Sequence, residues 1–194
     1  WGNTLSAVGS PAYSTATQMF GGYSLTGSDA NYFKPPVGAF PALTNGTFEL
    51  WVYLTSYANS PYIFYSSDGT NVTSLQINSA GQIVAKVGTG TAYTGLSTTI
   101  TTSTWTHLAM TWDASYWRIF VNGVETDNAL RTATLPASTA GNNYIGRQPS
   151  AGFNVTGQLD EFRVSGRNRT SQEINQDAQR YPYAVLSSQV MDFG

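Results

Sequence analysis

Short runs in which apolar and polar side chains alternate recur along the chain, each closed by turn residues. That rhythm constrains the fold more than any other feature, because side chains of a strand point to opposite faces in turn. The stretch "GTFELWVYLTS", residues 46–56, puts Phe48, Leu50 and Val52 on one face and Glu49, Trp51 and Tyr53 on the other. "PYIFYSSDGTNVTSLQIN" is expected to be strand, Asp68-Gly69 turn, strand, and "SAGQIVAKVG" follows through a turn at Ala80-Gly81. "TWTHLAMTWD" and "YWRIFVNGVET" add two more, and Asn122-Gly123 is the strongest short-range hairpin signal present. "GGYSLTGSDANYFKPP" is expected to form a hairpin or strand pair turning at Gly27-Ser28-Asp29, while "NNYIGRQ" and "GQLDEFRVSGR" complete the series. Strands at this spacing predict an all-β, two-sheet antiparallel sandwich. A single helix is predicted, over Thr170–Arg180, with Thr170 or Ser171 as N-cap and Glu173 in the first turn.

Composition narrows the function classes. At 194 residues the chain is most simply one domain with a real core. A net charge of -2 argues against nucleic acid, which is usually met by a basic surface. Charged residues make up 10%, and Lys34 and Lys86 are the two lysines. Hydroxyl and amide side chains fill the gap, which suits an extracellular, cell-surface or virion-surface location. The absence of cysteine removes disulfides and thiolate metal sites. No apolar run approaches the ~20 residues of a membrane span. The chain starts at Trp1 with no signal peptide, so a mature form or an excised part of a larger protein is expected.

In order, these segments resemble the laminin G-like jelly rolls of the concanavalin A-like lectin and glucanase group. The resemblance rests on a first strand ending in a Gly-Ser-Asp turn, then "FELWVYL", "WTHLAMTWD", "VNG", "YIG", "GQLDEFRV" and a short helix. It covers about residues 19–178. It implies two curved sheets packed face to face, with residues 19–180 as the jelly roll and residues 1–18 as an N-terminal extension or first strand. Residues 181–194 would then be a tail, either a plain extension of the domain or an arm reaching another subunit by adding a strand to it.

Adjacent carboxylates stand out in "GQLDEFRV". Strict alternation puts Asp160 with Phe162 and Val164, and Glu161 with Leu159 and Arg163. An acid beside apolar neighbours needs a partner. The resemblance implies that Asp160 helps hold a structural Ca²⁺ near the rim, with Asp29 contributed by the N-terminal hairpin and Ser28 and Asn31 nearby. Such an oxygen-rich setting fits Ca²⁺ chemistry. The residues alone equally allow Asp160 to accept backbone amides or to pair with an arginine.

Three function classes follow. Glycoside hydrolysis needs two carboxylates converging across a bond, and no E-x-D-x-x-E pattern supplies them. Glu125-Thr126-Asp127 is expected to be a solvated loop, and His107 a structural hydrogen-bonder with no G-x-S-x-G elbow to serve. No catalytic activity and no catalytic residue are therefore expected. Glycan binding needs flat aromatics beside polar groups. Glu49, Trp51 and Tyr53 form such a trio, and Tyr57, Tyr62, Tyr116 and Trp117 near strand ends are candidates for a rim. The first expectation is a non-catalytic interaction module of a structural or adhesive assembly, of virion decoration, fibre or surface-filament type, partnered by other subunits in a homo-oligomer or larger assembly. The alternative is a carbohydrate-binding module.

Overall fold

The structure, a computed structural model, describes residues 6–26, 28–36, 44–88, 91–130 and 142–180, with the backbone alone at 87–88 and 91–98. Four short strands open it: β1 (Ser6–Val8), β2 (Ala12–Ser14), β3 (Ser24–Thr26) and β4 (Tyr32–Lys34). The longest strand, β5 (Gly46–Ser56), is followed by β6 (Tyr62–Ser67), β7 (Val72–Ile77), β8 (Gln82–Gly88) and β9 (Thr91–Thr99). Then come β10 (Trp105–Trp112), β11 (Tyr116–Val121), β12 (Val124–Leu130), β13 (Asn142–Ile145), β14 (Thr156–Ser165) and the helix α1 (Ser171–Ala178). One sheet runs β12-β11-β10-β5-β14-β3-β2, a second β13-β6-β7-β8-β9, and β1 pairs with β4. All pairings are antiparallel, and the two large sheets make a jelly-roll sandwich.

Alternation builds the core between the sheets. Leu50 faces Leu108, which faces Val121, and Phe48, Met110 and Ile119 form the next row. Gly46, Trp112 and Trp117 form a third. A Cβ on Gly46 would stand 2.2 Å from the Trp112 ring, so a glycine there leaves room for the indole. From the other sheet, Ile63, Phe64, Leu75, Ile77, Ile83 and Ile145 meet these rows. Trp117 is therefore core and not rim, and Tyr57 also packs against the core. The Asn122-Gly123 hairpin turns with φ of 49° and 80°, the left-handed pair that a two-residue turn demands. The capping box of α1 forms as expected: Thr170 Oγ1 accepts the Glu173 amide at 3.2 Å, and Glu173 accepts the Thr170 amide at 2.8 Å. Ile174 packs on Ala109 and Phe120, which seats the helix on the outer face of the seven-stranded sheet.

Several expectations are corrected. β3 and β4 do not pair with each other; β3 joins β14 and β2, while β4 joins β1, so "GGYSLTGSDANYFKPP" parts into two sheets. Glu125-Thr126-Asp127 belongs to the edge strand β12 rather than a loop. Most consequential is a bulge in β14, where Asp160 faces Trp51 and Arg163 faces Glu49, leaving two residues opposite Leu50. Glu161 absorbs the extra residue at φ 50°. The bulge reverses the face assignment downstream: Phe162 packs on Phe48 and Phe64 in the core, and Asp160 and Arg163 share the outer face. A left-handed conformation costs a residue with a Cβ what glycine does not lose, so Glu161→Gly should raise stability by about 0.5–1 kcal/mol in urea unfolding. A fall in stability would show that the bulge is held by the Glu161 side chain.

Within residues 6–14, β1 pairs with β4 in a small two-stranded sheet, and β2 forms an edge of the seven-stranded sheet. The tail 181–194, on which an arm was expected, lies outside the described residues. No described helix is long and apolar enough to cross a membrane.

Candidate functional site

Asp160 is satisfied by the backbone. Its Oδ2 accepts the amides of Met19 and Phe20 at 2.8 and 3.1 Å, and its Oδ1 accepts the Glu161 amide at 2.8 Å. Converging N–H dipoles hold an anion and oppose a cation at the same oxygens. Asp29 has different partners. Its Oδ2 accepts the Gly152 amide at 2.8 Å, and its carbonyl accepts from Arg147, as do the carbonyls of Gln148 at 2.8 Å and Pro149 at 3.2 Å. A guanidinium therefore supplies the positive charge where those carbonyls converge. Amides and a guanidinium thus occupy most of the oxygens on which Ca²⁺ was expected, and Asp29 Oδ1, buried, is left without a hydrogen-bond partner among the described residues. What Asp160 does is pin the segment carrying Phe20, whose ring meets Trp51 edge-on at 6.2 Å.

The outer face of β5 carries Glu49, Trp51 and Tyr53 together, as alternation predicts, but their surroundings differ. Glu49 is 2% exposed. Its Oε1 accepts from Arg163 Nε at 2.8 Å and also pairs with Arg169. Both guanidiniums continue to Asp177 of α1, Arg169 at 2.5 Å. His107 Nε2 approaches Glu49 Oε2 to 3.6 Å, beyond hydrogen-bond range but close enough to set the polar edge of the imidazole against the carboxylate. Burial pushes the Glu49 carboxyl up, but His107 and the two guanidiniums outweigh it and hold it below its ordinary 4.5. The same balance, burial against Arg169 and Arg163, holds Asp177 below 3.8. Glu49, Arg163, Arg169 and Asp177 thus form an ionic latch that fastens the helix to the sheet.

Beside this latch lies a cleft of about 190 Å³ lined by Phe20, Trp51, His107, Glu161 and Arg180, with Glu49 and Asp177 at its base. Two nearly fully buried polar atoms there have no hydrogen-bond partner among the described residues, Glu49 Oε2 and His107 Nδ1. Trp51 meets the His107 ring at 5.2 Å. Along the same face, Tyr53 and Trp105 are half-buried and 5.6 Å apart, forming an aromatic shelf. Of the sequence-predicted trio, then, Trp51 is cleft floor at 6% exposure and Tyr53 is shelf. Glu49 divides its two oxygens between the latch and the cleft.

Sequence reasoning missed Arg163, Arg169, Asp177 and Trp105. One signal was present: three arginines, 163, 167 and 169, crowd the approach to a helix N-terminus, where the dipole disfavours cations. Such crowding calls for acids nearby. Arg167 pairs with Glu173, and the other two converge on Glu49.

The concanavalin A-like lectin/glucanases superfamily matches residues 26–175. The chain belongs to that superfamily. Among curated proteins none matches it. Solved structures of similar fold include domain 4 of AbnA, an extracellular arabinanase of Geobacillus stearothermophilus, in complex with arabinotriose. That similarity has a TM-score of 0.74 at 21% identity, covering 91% of this chain and 88% of the other. A heptameric pentraxin of Limulus polyphemus gives 0.57 at 16%, covering 72% of each. The binding domain of Paraclostridial Mosquitocidal Protein 1 gives 0.72 at 12%, with 92% of this chain aligned to 48% of that one. Identities this low establish a shared fold, and for this concanavalin A-like chain the site must be argued from its own residues.

Proposed function

We propose that this protein is a non-catalytic carbohydrate-binding module acting at an extracellular or cell-surface location. The observation that carries the reading is the unpartnered Glu49 Oε2 in a cleft floored by Trp51 and continued by the Tyr53–Trp105 shelf. A sugar ring presents C–H bonds to an aromatic face and hydroxyls to an acceptor. Glu49 Oε2 accepts one hydroxyl, His107 Nδ1 meets another, and the shelf receives the next ring. The cleft is smaller than the ~300 Å³ at which drug-sized sites begin, so it suits one terminal residue or a side group of a longer chain. The resemblance to an arabinotriose-bound domain supports a neutral oligosaccharide as ligand.

Chemistry argues against hydrolysis. A glycosidase needs one carboxyl raised enough to donate a proton. Glu49 and Asp177 are instead both lowered by arginines they share. On a glycan array the intact chain should be retained on neutral oligosaccharides, arabinotriose among those tested, and should release no reducing sugar. Trp105→Ala, at a half-buried shelf position, should weaken that binding about tenfold, in the range of a lost stacking contact. An intact chain that ignores every glycan would overturn the proposal.

A further inference from the structure

The opposite side of the sandwich carries a second aromatic surface that the cleft does not involve. Across the five-stranded sheet, Tyr144 faces Tyr65, Tyr65 faces Ser74, and Ser74 faces Lys86. The core residues Phe64, Leu75 and Ala85 alternate with this row, so it lies on the outer face. At about 4.8 Å between strands the row is roughly 14 Å long. Rings extend it past Tyr144 and along β6. Tyr32 of β4 lies 5.8 Å from Tyr144, Tyr62 lies 5.8 Å from Tyr65, and Phe153 lies 6.2 Å from Tyr62. Tyr144 is the buried floor, while Tyr32, Tyr62 and Tyr65 are half-buried and Phe153 is 37% exposed.

Charge marks this face as different from the other. Lys34 Nζ stands 4.8 Å over the Tyr144 ring, and Lys86 lies on the other side of the row, two strands from Tyr65. The chain has no other lysine, so both bracket the same tyrosines. Among the described residues neither is in an ion pair. The one carboxylate on this sheet and its turns, among the described residues, is Asp68. Its oxygens are taken by the amides of Thr70 and Asn71, each at 2.8 Å, and by Asn71 Nδ2 at 3.1 Å. Arg147 lies beneath Tyr32 at 4.3 Å and adds positive charge, although its donors are used on backbone carbonyls. In a protein of net charge -2, a carboxylate-poor aromatic face bracketed by both lysines is complementary to an anion with sugar-like faces.

We infer that the outer face of the five-stranded sheet is a second binding surface, for an acidic glycan whose rings lie on Tyr62 and Tyr65 and whose carboxylates or sulfates meet Lys34 and Lys86. Ammonium–anion contacts supply the charge term, and the rings supply C–H contact as in the cleft. The inference stands apart from the neutral-glycan reading, because the two faces share no residue.

The test is calorimetric titration of the intact chain with polygalacturonate fragments, their neutral methyl esters and heparin fragments. Vesicles containing phosphatidylserine form a further arm. At least one acidic glycan should bind, more weakly as salt is raised, and the methyl ester should bind about tenfold less tightly than the acid. The double variant K34Q/K86Q should lose about tenfold in affinity for the acidic glycan, and Tyr65→Ala a comparable amount, while Trp105→Ala leaves it unchanged. Circular dichroism of each variant should match the parent. Equal binding of acid and ester, an unaffected lysine variant, or no binding of either acidic glycan would overturn the inference. Binding of vesicles alone would reassign the face to lipid. Loss through Trp105→Ala in place of the lysines would return acidic ligands to the cleft.

Discussion

Replacing Glu49 by alanine should lower the free energy of unfolding by about 3–5 kcal/mol, the cost of breaking a buried ion network from one side. Arg169 is 11% exposed in its side chain, and losing its acid leaves a guanidinium charge with Asp177 as its remaining carboxylate partner. Arg163, at 43%, relaxes toward water and contributes less. Because the network fastens α1 to β5 and β14, the variant should also expose the backbone amides of α1 to hydrogen exchange. The sign with pH follows from lowered carboxyls. Glu49 and Asp177 titrate below 4.5 and 3.8 in the folded state, so their contribution is present above those values and is lost as pH falls through the folded ones. The difference between parent and Glu49→Ala should therefore shrink as the solution is acidified below about pH 4. Urea unfolding at neutral and acid pH measures both. A loss under about 1 kcal/mol would class the latch with ordinary surface pairs.

Phe48→Ala should cost a similar amount, about 3–5 kcal/mol, for a different reason. Phe48 is 1% exposed, stacks on Phe64 at 4.7 Å and meets Phe162 at 5.4 Å. Removing it leaves a void between the two sheets that neither β5 nor β14 can close, since both are hydrogen-bonded on each side. Phe48→Leu, which refills most of the volume, should cost less than half as much. Denaturant unfolding with an unchanged m-value would confirm that the loss is stability and not a changed denatured state. If alanine and leucine cost the same, the Phe48–Phe64–Phe162 cluster is not packed as described.

Much of this was legible in the sequence. Alternation in "FELWVYL" gave both faces of β5, Asn122-Gly123 gave its hairpin, and Thr170-x-x-Glu173 gave the helix start. These are local signals, set by residues a few positions apart. The unread parts depend on partners far along the chain. Nothing in "LDEFRV" shows that β14 bulges at Glu161, because a bulge is defined against the opposing strand. Strict alternation therefore placed Asp160 on the wrong face. β9 escaped notice because "TAYTGLSTT" has too few apolar residues to alternate visibly. The latch was hidden for the same reason as the bulge: Glu49 meets Arg163 and Arg169 across more than a hundred positions. Trp105 looked like an ordinary strand aromatic until its register opposite Tyr53 was known.

Indole resonances offer the most direct test of how this protein works. In a proton–nitrogen correlation spectrum, a neutral oligosaccharide retained on the array should shift the indole signals of Trp51 and Trp105, which line the outer face. Those of Trp112 and Trp117, closed inside the sandwich, should stay in place. Shifts confined to Trp112 and Trp117, or none at Trp51 and Trp105 under saturating ligand, would contradict a sugar-binding outer face.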